Sequence, residues 1–373
     1  MSFSFKKTTA ALLFGACVIS APAFAEETIK FAYVGPVTGP VTQYGDMVKE
    51  GVLTAVEEIN EKGGINGKKI EIVTEDDACE PKQAVAVANR NVSNGIKFVV
   101  GHVCSGATIA AANIYDNEGV VMVTASASAP DLTDSNNYTS VFRVCGRDDQ
   151  QSPAAVDYIT KQKSKRVAVL HDKQAYGQGV AAAVKNGLEK NNIPVVLFEG
   201  INAGESDYSA IITKMKSENV DFIYYGGYHP ELGLIARQSR ERGITAPIMS
   251  VEGAANSELA VIAGPAAEGL LMTVPQDFSK DPSNASIVKR FVDKGRDPAG
   301  AFQMSAYSAT MAIKEGIEAA KSEDPDAVAE AMHKMTMKSP IGEISFTEKG
   351  DLNSFKFIIV RQNKDGTRTA VED

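Results

Sequence analysis

The 373-residue sequence contains no tryptophan, four cysteines and four histidines. The histidines stand at 102, 171, 229 and 333 with no His-x-x-x-His arrangement, and no Cys-x-x-Cys pair occurs. The spacings that hold zinc are therefore missing, and no metal or other cofactor is expected. The motifs Gly-x-Ser-x-Gly, Gly-x-x-x-x-Gly-Lys-Ser/Thr and Gly-x-Gly-x-x-Gly are also missing. Their absence removes the nucleophile elbow, the phosphate loop and the dinucleotide fingerprint, so the chain does not read as an enzyme. Positive charge is in short supply too: 38 basic against 47 acidic residues give a net charge of −9. That balance argues against nucleic acid or anionic membrane as the partner. Past the N-terminal segment, no apolar run approaches the ~20 residues needed to cross a bilayer.

What is present begins with an export signal. Lys6-Lys7 form a basic region, Thr9 to Ser20 an apolar region and Ala23-Phe24-Ala25 a small-x-small cleavage site. Residues 1–25 are thus expected to be a signal peptide, with Glu26 the mature start. Cys17 is a poor lipidation site, because Phe14 fits the pattern badly and the apolar run before it is short. A soluble exported protein is expected instead. Three cysteines then remain, and an oxidising compartment allows a pair among them. Cys79 and Cys104 each follow a strand-like segment, whereas Cys145 in Val141-Phe-Arg-Val-Cys145 suits a buried free thiol; three core thiols are the alternative.

Strands and helices alternate from Ile29 onward. Strands are expected at 29–34, 70–74, 96–100 and 120–124, then again at 167–170, 195–198, 222–225, 248–251 and 270–274. The helix carrying Val48, Val52, Ala55, Val56 and Ile59 is stopped by Gly63-Gly64, and the next opens at Pro81 and closes at Gly95. This rhythm builds parallel sheets from βαβ units, and its restart near residue 165 implies two similar lobes. Tyr44-Gly45 and Tyr176-Gly177 stand at equivalent helix entrances in the two halves. Helices near 301–320 and 327–335 and strands at 344–346 and 357–361 complete the lobes.

The candidate site is a binding site. Phe98-Val-Val-Gly-His-Val-Cys-Ser105 runs from a buried strand into a helix, so its loop offers unpaired N–H groups and the Ser105 hydroxyl to a carboxylate. A second strand leads into Ala125-Ser-Ala-Ser128, whose Ser126 and Ser128 add hydroxyls and carbonyls. Glu252 ends the strand segment Ile248-Met-Ser-Val and suits an ammonium group. Tyr44, Tyr176, Tyr228 and Phe302 can supply apolar walls. An anion site, a cation site and aromatic walls together describe an amino acid. The competing assignments are Ser105 as a helix cap, Glu252 as a solvated charge and the aromatics as core. His171-Asp172-Lys173 reads as loop residues hydrogen-bonding across lobes, and Asp76-Asp77 as a strand-end turn.

Long segments carry a resemblance. They are Gly39-Pro-Val-Thr-Gln-Tyr-Gly-Asp46, Gly63-Gly-Ile-Asn-Gly67, Asp76 to Asn89, Gly95 to Ser105, His171 to Gly177, Asp221 to Pro230, Glu252-Gly-Ala-Ala-Asn256 and Gly300-Ala-Phe302. On these the chain resembles the leucine/isoleucine/valine-binding proteins of bacterial ABC transporters, of the type 1 periplasmic binding protein family. The resemblance implies an α/β fold of two Rossmann-like lobes with parallel-sheet cores and a hinge of three crossover segments. It places lobe 1 at 26–146 and 276–354, and lobe 2 at 147–275 and 355–373. It implies a periplasmic monomer that closes on an aliphatic L-amino acid (Leu, Ile or Val) and delivers it to an inner-membrane ABC permease. A sensor of amino acids or amides on the same fold is the alternative. By the resemblance, Ser105 and Ser128 would bind the α-carboxylate, and the Ser126 carbonyl, Ser128 hydroxyl and Glu252 the α-ammonium. Tyr44, Cys104, Tyr176, Tyr228 and Phe302 would shape the side-chain pocket, and Cys79 would pair with Cys104. Ser126 and Ser128 replace the Ala and Thr of familiar members, which makes the pocket roomier or more polar.

Overall fold

In the computed structural model the described residues are 1–4 and 27–371. Cys17, the expected cleavage after Ala25 and the mature start at Glu26 lie outside them. The first half runs β1 (Thr28–Gly35), α1 (Thr42–Glu61), β2 (Lys69–Asp76), α2 (Pro81–Ser93), β3 (Phe98–Val100), α3 (Ser105–Asn117), β4 (Val121–Thr124), α4 (Asp131–Asp134) and β5 (Val141–Arg143). Its strands form one parallel sheet in the order β2-β1-β3-β4-β5. β3 and β4 are buried throughout, as expected of strands covered on both faces.

The second half runs α5 (Asp148–Lys161), β6 (Val167–His171), α6 (Ala175–Lys190), β7 (Val195–Gly200), α7 (Ser209–Ser217), β8 (Phe222–Gly226), α8 (His229–Glu241), β9 (Ile248–Ser250), α9 (Glu258–Ala263) and β10 (Leu271–Pro275). The chain then supplies α10 (Ala285–Asp293), α11 (Gln303–Ala320), α12 (Pro325–Lys334) and the hairpin β11 (Thr336–Ser339) and β12 (Gly342–Ser345). Of these, α11 packs on α1, β3 and β4, so the chain has returned to the first lobe. It ends with β13 (Phe357–Gln362) and β14 (Arg368–Ala370), which close a second sheet ordered β14-β13-β10-β9-β8-β6-β7. Three crossings result: after β5, after β10 and before β13.

The expected strands and helices are found, with small boundary shifts and some elements that were not expected. Ile96 lies outside β3, and the expected strand at 344–346 is β12, ending at Ser345. The run Val141-Phe-Arg-Val-Cys145 contains an unexpected edge strand, β5, whose Arg143 is fully buried. Among the described residues His171-Asp172-Lys173 bonds within the second lobe and not across lobes: Lys173 N–H donates to His171 Nδ1, Gln174 N–H to Asp172, and Lys173 Nζ to Asn202. Asp76 does make a strand-end turn, accepting from the N–H groups of Val37, Thr38 and Ala78.

Cys79 and Cys104, 25 positions apart in sequence, are disulfide-bonded with Cα atoms 5.4 Å apart. Cys145 is free and buried. The bond ties the loop entering α2 to Cys104, the residue that precedes α3. Beneath it, Asp77 accepts the Cys79 N–H at 2.9 Å and meets His102 Nδ1 at 2.6 Å. A loop of this size restricts the unfolded chain enough to stabilise the fold by about 3 kcal/mol. The Cys79→Ser/Cys104→Ser double variant is therefore expected to unfold at a lower urea midpoint with a slope no shallower than the wild type's, because the unfolded chain loses its cross-link, and an unchanged midpoint would contradict that weighting.

Candidate ligand-binding site

The interlobe cleft is closed, and its walls come from the C-terminal ends of strands in both sheets. Tyr44, Val103, Cys104, Ser105, Ser126, Tyr176, Tyr228, Glu252, Gly253 and Phe302 line one pocket. A neighbouring cavity shares Ser126, Glu252 and Phe302 with it and adds Ser128 and Cys145. Gly146, Pro275 and Phe357, one from each crossing, also line the second cavity. Every residue expected from the sequence to touch the ligand thus reaches one of two adjoining spaces.

Local sequence explains the placement. Ser105 is the first residue of α3, Tyr176 lies in the first turn of α6, Tyr228 precedes α8 and Phe302 precedes α11. Helix N-termini therefore gather around the pocket, and their free N–H groups favour an anionic guest. Ser105 is not a side-chain cap: its hydroxyl accepts from the Ala129 N–H at 3.2 Å. The Ser126 hydroxyl is turned back onto the Val103 carbonyl at 2.8 Å. The Ser128 hydroxyl is buried and makes no hydrogen bond of good geometry among the described residues, though it lies near enough to Asp148 to favour that group's charged form.

The aromatic residues form a box. Ring centroids are 5.4 Å apart for Tyr176 and Tyr228, 6.0 Å for Tyr44 and Tyr228, and 5.9 Å for Tyr44 and Phe302. All four are buried, and all four line the pocket. Their polar ends converge on one turn. Tyr44 donates to the Gly253 carbonyl at 2.7 Å across the cleft, while Gly253 N–H donates to the Tyr176 hydroxyl at 3.1 Å. A Cβ at Gly253 would come within 2.6 Å of the Tyr176 ring, so only glycine permits this approach. Asn256 Nδ2 donates to the Tyr44 hydroxyl at 2.7 Å.

Glu252 is the electrostatic centre. It is 2% exposed, which overturns its alternative assignment as a solvated charge. One carboxylate oxygen accepts from Gln151 Nε2 at 3.1 Å, and the other is buried without a hydrogen bond of good geometry among the described residues, though the Tyr176 hydroxyl lies near enough to favour the charged form. Burial, then the nearby Asp148, pushes its carboxyl up to about 8; burial likewise pushes Asp148 up to about 6. Two buried acids, with no adjacent free base among the described residues, make a space that calls for a cation. Asp148, Gln151, Gly253 and Asn256 had no role assigned from sequence. Gly253 and Asn256 sit inside the segment Glu252-Gly-Ala-Ala-Asn256, but the polar run at 148–151 resembles any exposed helix start. Among the described residues no group of three or more His, Cys, Asp or Glu side chains could hold a metal ion.

The family described as "Periplasmic binding protein" matches residues 28–367. The chain is 51% identical over 349 residues to the leucine-, isoleucine-, valine-, threonine- and alanine-binding protein of Pseudomonas aeruginosa, covering 93% of each. It is 47% identical over 344 residues to the Leu/Ile/Val-binding protein of Escherichia coli, covering 92% of this chain and 93% of that one. The crystal structure of a leucine-binding protein from Thermotoga maritima superposes with a TM-score of 0.85 at 30% identity, over 92% of this chain and 98% of the other.

Proposed function

Since the chain belongs to the type 1 periplasmic binding proteins, among those that bind branched-chain amino acids, we propose that it captures leucine, isoleucine or valine and hands it to an ABC permease. The observation that carries this reading is the buried, half-satisfied Glu252 carboxylate beside an aromatic box and the start of α3. The α-ammonium would take the free Glu252 oxygen, the Ser126 carbonyl and the Ser128 hydroxyl. The α-carboxylate would take the N–H groups at the start of α3 with Ser105 and Ser128. An aliphatic side chain would fill the space between Tyr44, Tyr176, Tyr228 and Phe302.

Closure follows from charge. Shutting the cleft around nothing buries Glu252 and Asp148 without a counter-ion, which opposes the closed form. A zwitterion brings its own cation and bridges both lobes, so loading shifts the population toward the closed form. The permease would read that form, and neither catalysis nor a cofactor enters the cycle. The lobe limits 26–146 with 276–354, and 147–275 with 355–373, are supported by the segregation of the two sheets. Lys6-Lys7 and Ala23-Phe24-Ala25 support export to the periplasm by a cleaved leader, and we take the working form to be a monomer. No helix among the described residues is long and apolar enough to cross a membrane. No observation favours the sensor alternative.

The test is a thermal-shift panel of the twenty amino acids on protein unfolded and refolded to strip carried ligand. A ligand at about 100 times its dissociation constant adds about 2.7 kcal/mol of stability. Leucine, isoleucine and valine are expected to raise the melting temperature most. Threonine and alanine should follow, since one methylene is worth only ~1–3 kcal/mol. A flat panel would remove amino-acid binding.

A further inference from the structure

Gln151 stands behind the ligand-facing residues, in the helix that follows the first crossing, and is fully buried. Its side-chain nitrogen donates to Asp148 Oδ1 at 2.8 Å and to Glu252 Oε1 at 3.1 Å. Its carbonyl oxygen accepts from the Thr273 hydroxyl at 2.9 Å, on β10. Asp148 is held in turn by its backbone N–H, which donates to the Ser128 carbonyl at 3.0 Å in the opposite lobe. The amide has one workable orientation. Turned over, its oxygen would face two carboxylates and both would lose their donor.

We infer that Gln151 is the positioning residue that presents Glu252 to the ligand. It pins one oxygen of Glu252 and leaves the other free toward the pocket. It also separates Glu252 from Asp148 with a neutral double donor. A lysine there would neutralise the cradle and compete with the incoming ammonium, and an apolar residue would leave both acids without a donor. This inference rests on the amino-acid reading above and adds to it the residue that fixes the geometry of ammonium recognition.

The test is calorimetric titration of leucine into the full mature chain and its Gln151→Met variant at about pH 7 and about pH 8.5. The variant keeps side-chain length and removes both donations. Affinity at the lower pH should fall about tenfold to a hundredfold, the value of a hydrogen bond to a charged group. It should recover toward the wild type at the higher pH, because Glu252 deprived of its donor needs a higher pH to ionise. The other titratable or charged groups near the pair are Asp149 on the outer side of α5, Arg143 on β5, Cys145 beyond it, Tyr44 on α1, Tyr176 on α6, Tyr224 on β8 and Tyr228 before α8. Arg143 is already paired with Asp351, and the substitution leaves all seven in place. A residue with a merely packing role would lose affinity equally at both pH values. That result, or no loss at all, overturns the inference. If Gln151→Met does not fold, Thr273→Val frees the same amide without removing it and should lose several-fold with the same pH response. A wild type that binds no amino acid would instead sink the function proposed above, whatever the variants do.

Discussion

Glu252→Ala is expected to weaken leucine binding by about 3–5 kcal/mol, roughly two to three and a half decades, because the buried ammonium loses its counter-charge. The same change should leave the ligand-free protein at least as stable as the wild type near neutral pH. The carboxylate it removes is buried and half unpaired, so in the empty closed cleft it opposes folding. The pH dependence has a definite sign. Glu252 is raised from 4.5 to about 8 and Asp148 from 3.8 to about 6, both chiefly by burial. Each acid therefore holds more protons in the closed, ligand-free form than in the unfolded chain, and that form is favoured most below the ordinary values. It loses stability as pH rises, from 3.8 to about 6 through Asp148 and from 4.5 to about 8 through Glu252. Bound leucine should flatten that slope above about pH 6, and so should Glu252→Ala without ligand. Titration calorimetry and melting curves across this range check both halves. An unchanged affinity would remove Glu252 from the site.

The parts of this site that could be read in the sequence are those where local pattern and function coincide. Phe98-Val-Val is continuously apolar and gives way to small and hydroxyl residues, so both the strand and the loop that opens the pocket were legible. Tyr44-Gly45 and Tyr176-Gly177 repeat at equivalent helix entrances, which marked the two walls; that both hydroxyls meet at Gly253 depends on the closure angle, which no local pattern encodes. Glu252 was legible as an acid at a strand end. Its partners were not, because the start of α5 reads Asp-Asp-Gln-Gln and polar residues at a helix start ordinarily face water. Only the packing of α5 against α6, β10 and β13 turns Asp148 and Gln151 inward while leaving Asp149 outside. Arg143 escaped for a related reason. An arginine between Phe142 and Val144 suggests the exposed face of an edge strand, whereas here the later return of the chain covers it with Asp351.

That covered arginine carries the second large effect. Asp351 ion-pairs with the fully buried Arg143 and, through Oδ2 at 2.8 Å, with Arg147 Nη1. Arg143 Nη1 donates to the carbonyls of Ala127 and Ala129 at 3.0 and 3.1 Å, the residues either side of Ser128. Arg147 lies at the first crossing and Asp351 shortly before the third. One carboxylate thus fastens two strands of the hinge and the loop that offers Ser126 and Ser128 to the ligand. Asp351→Ala leaves a guanidinium in the interior without a counter-charge, a change that destabilises by about 3–5 kcal/mol. For a lobe of this size the melting temperature should fall by on the order of 10 °C. Because the pair is buried, added salt should alter the loss little. Exposed pairs such as Lys334–Glu330 should instead contribute under about 1 kcal/mol. The double variant Arg143→Met/Asp351→Leu should regain most of the loss in stability, since it removes both charges and fills the space. It should not regain full leucine affinity, because the donations that hold the Ser128 loop go with the guanidinium. A double variant no more stable than Asp351→Ala would mean that the cost is cavity rather than charge. A double variant with wild-type affinity would mean that the loop needs no such anchor.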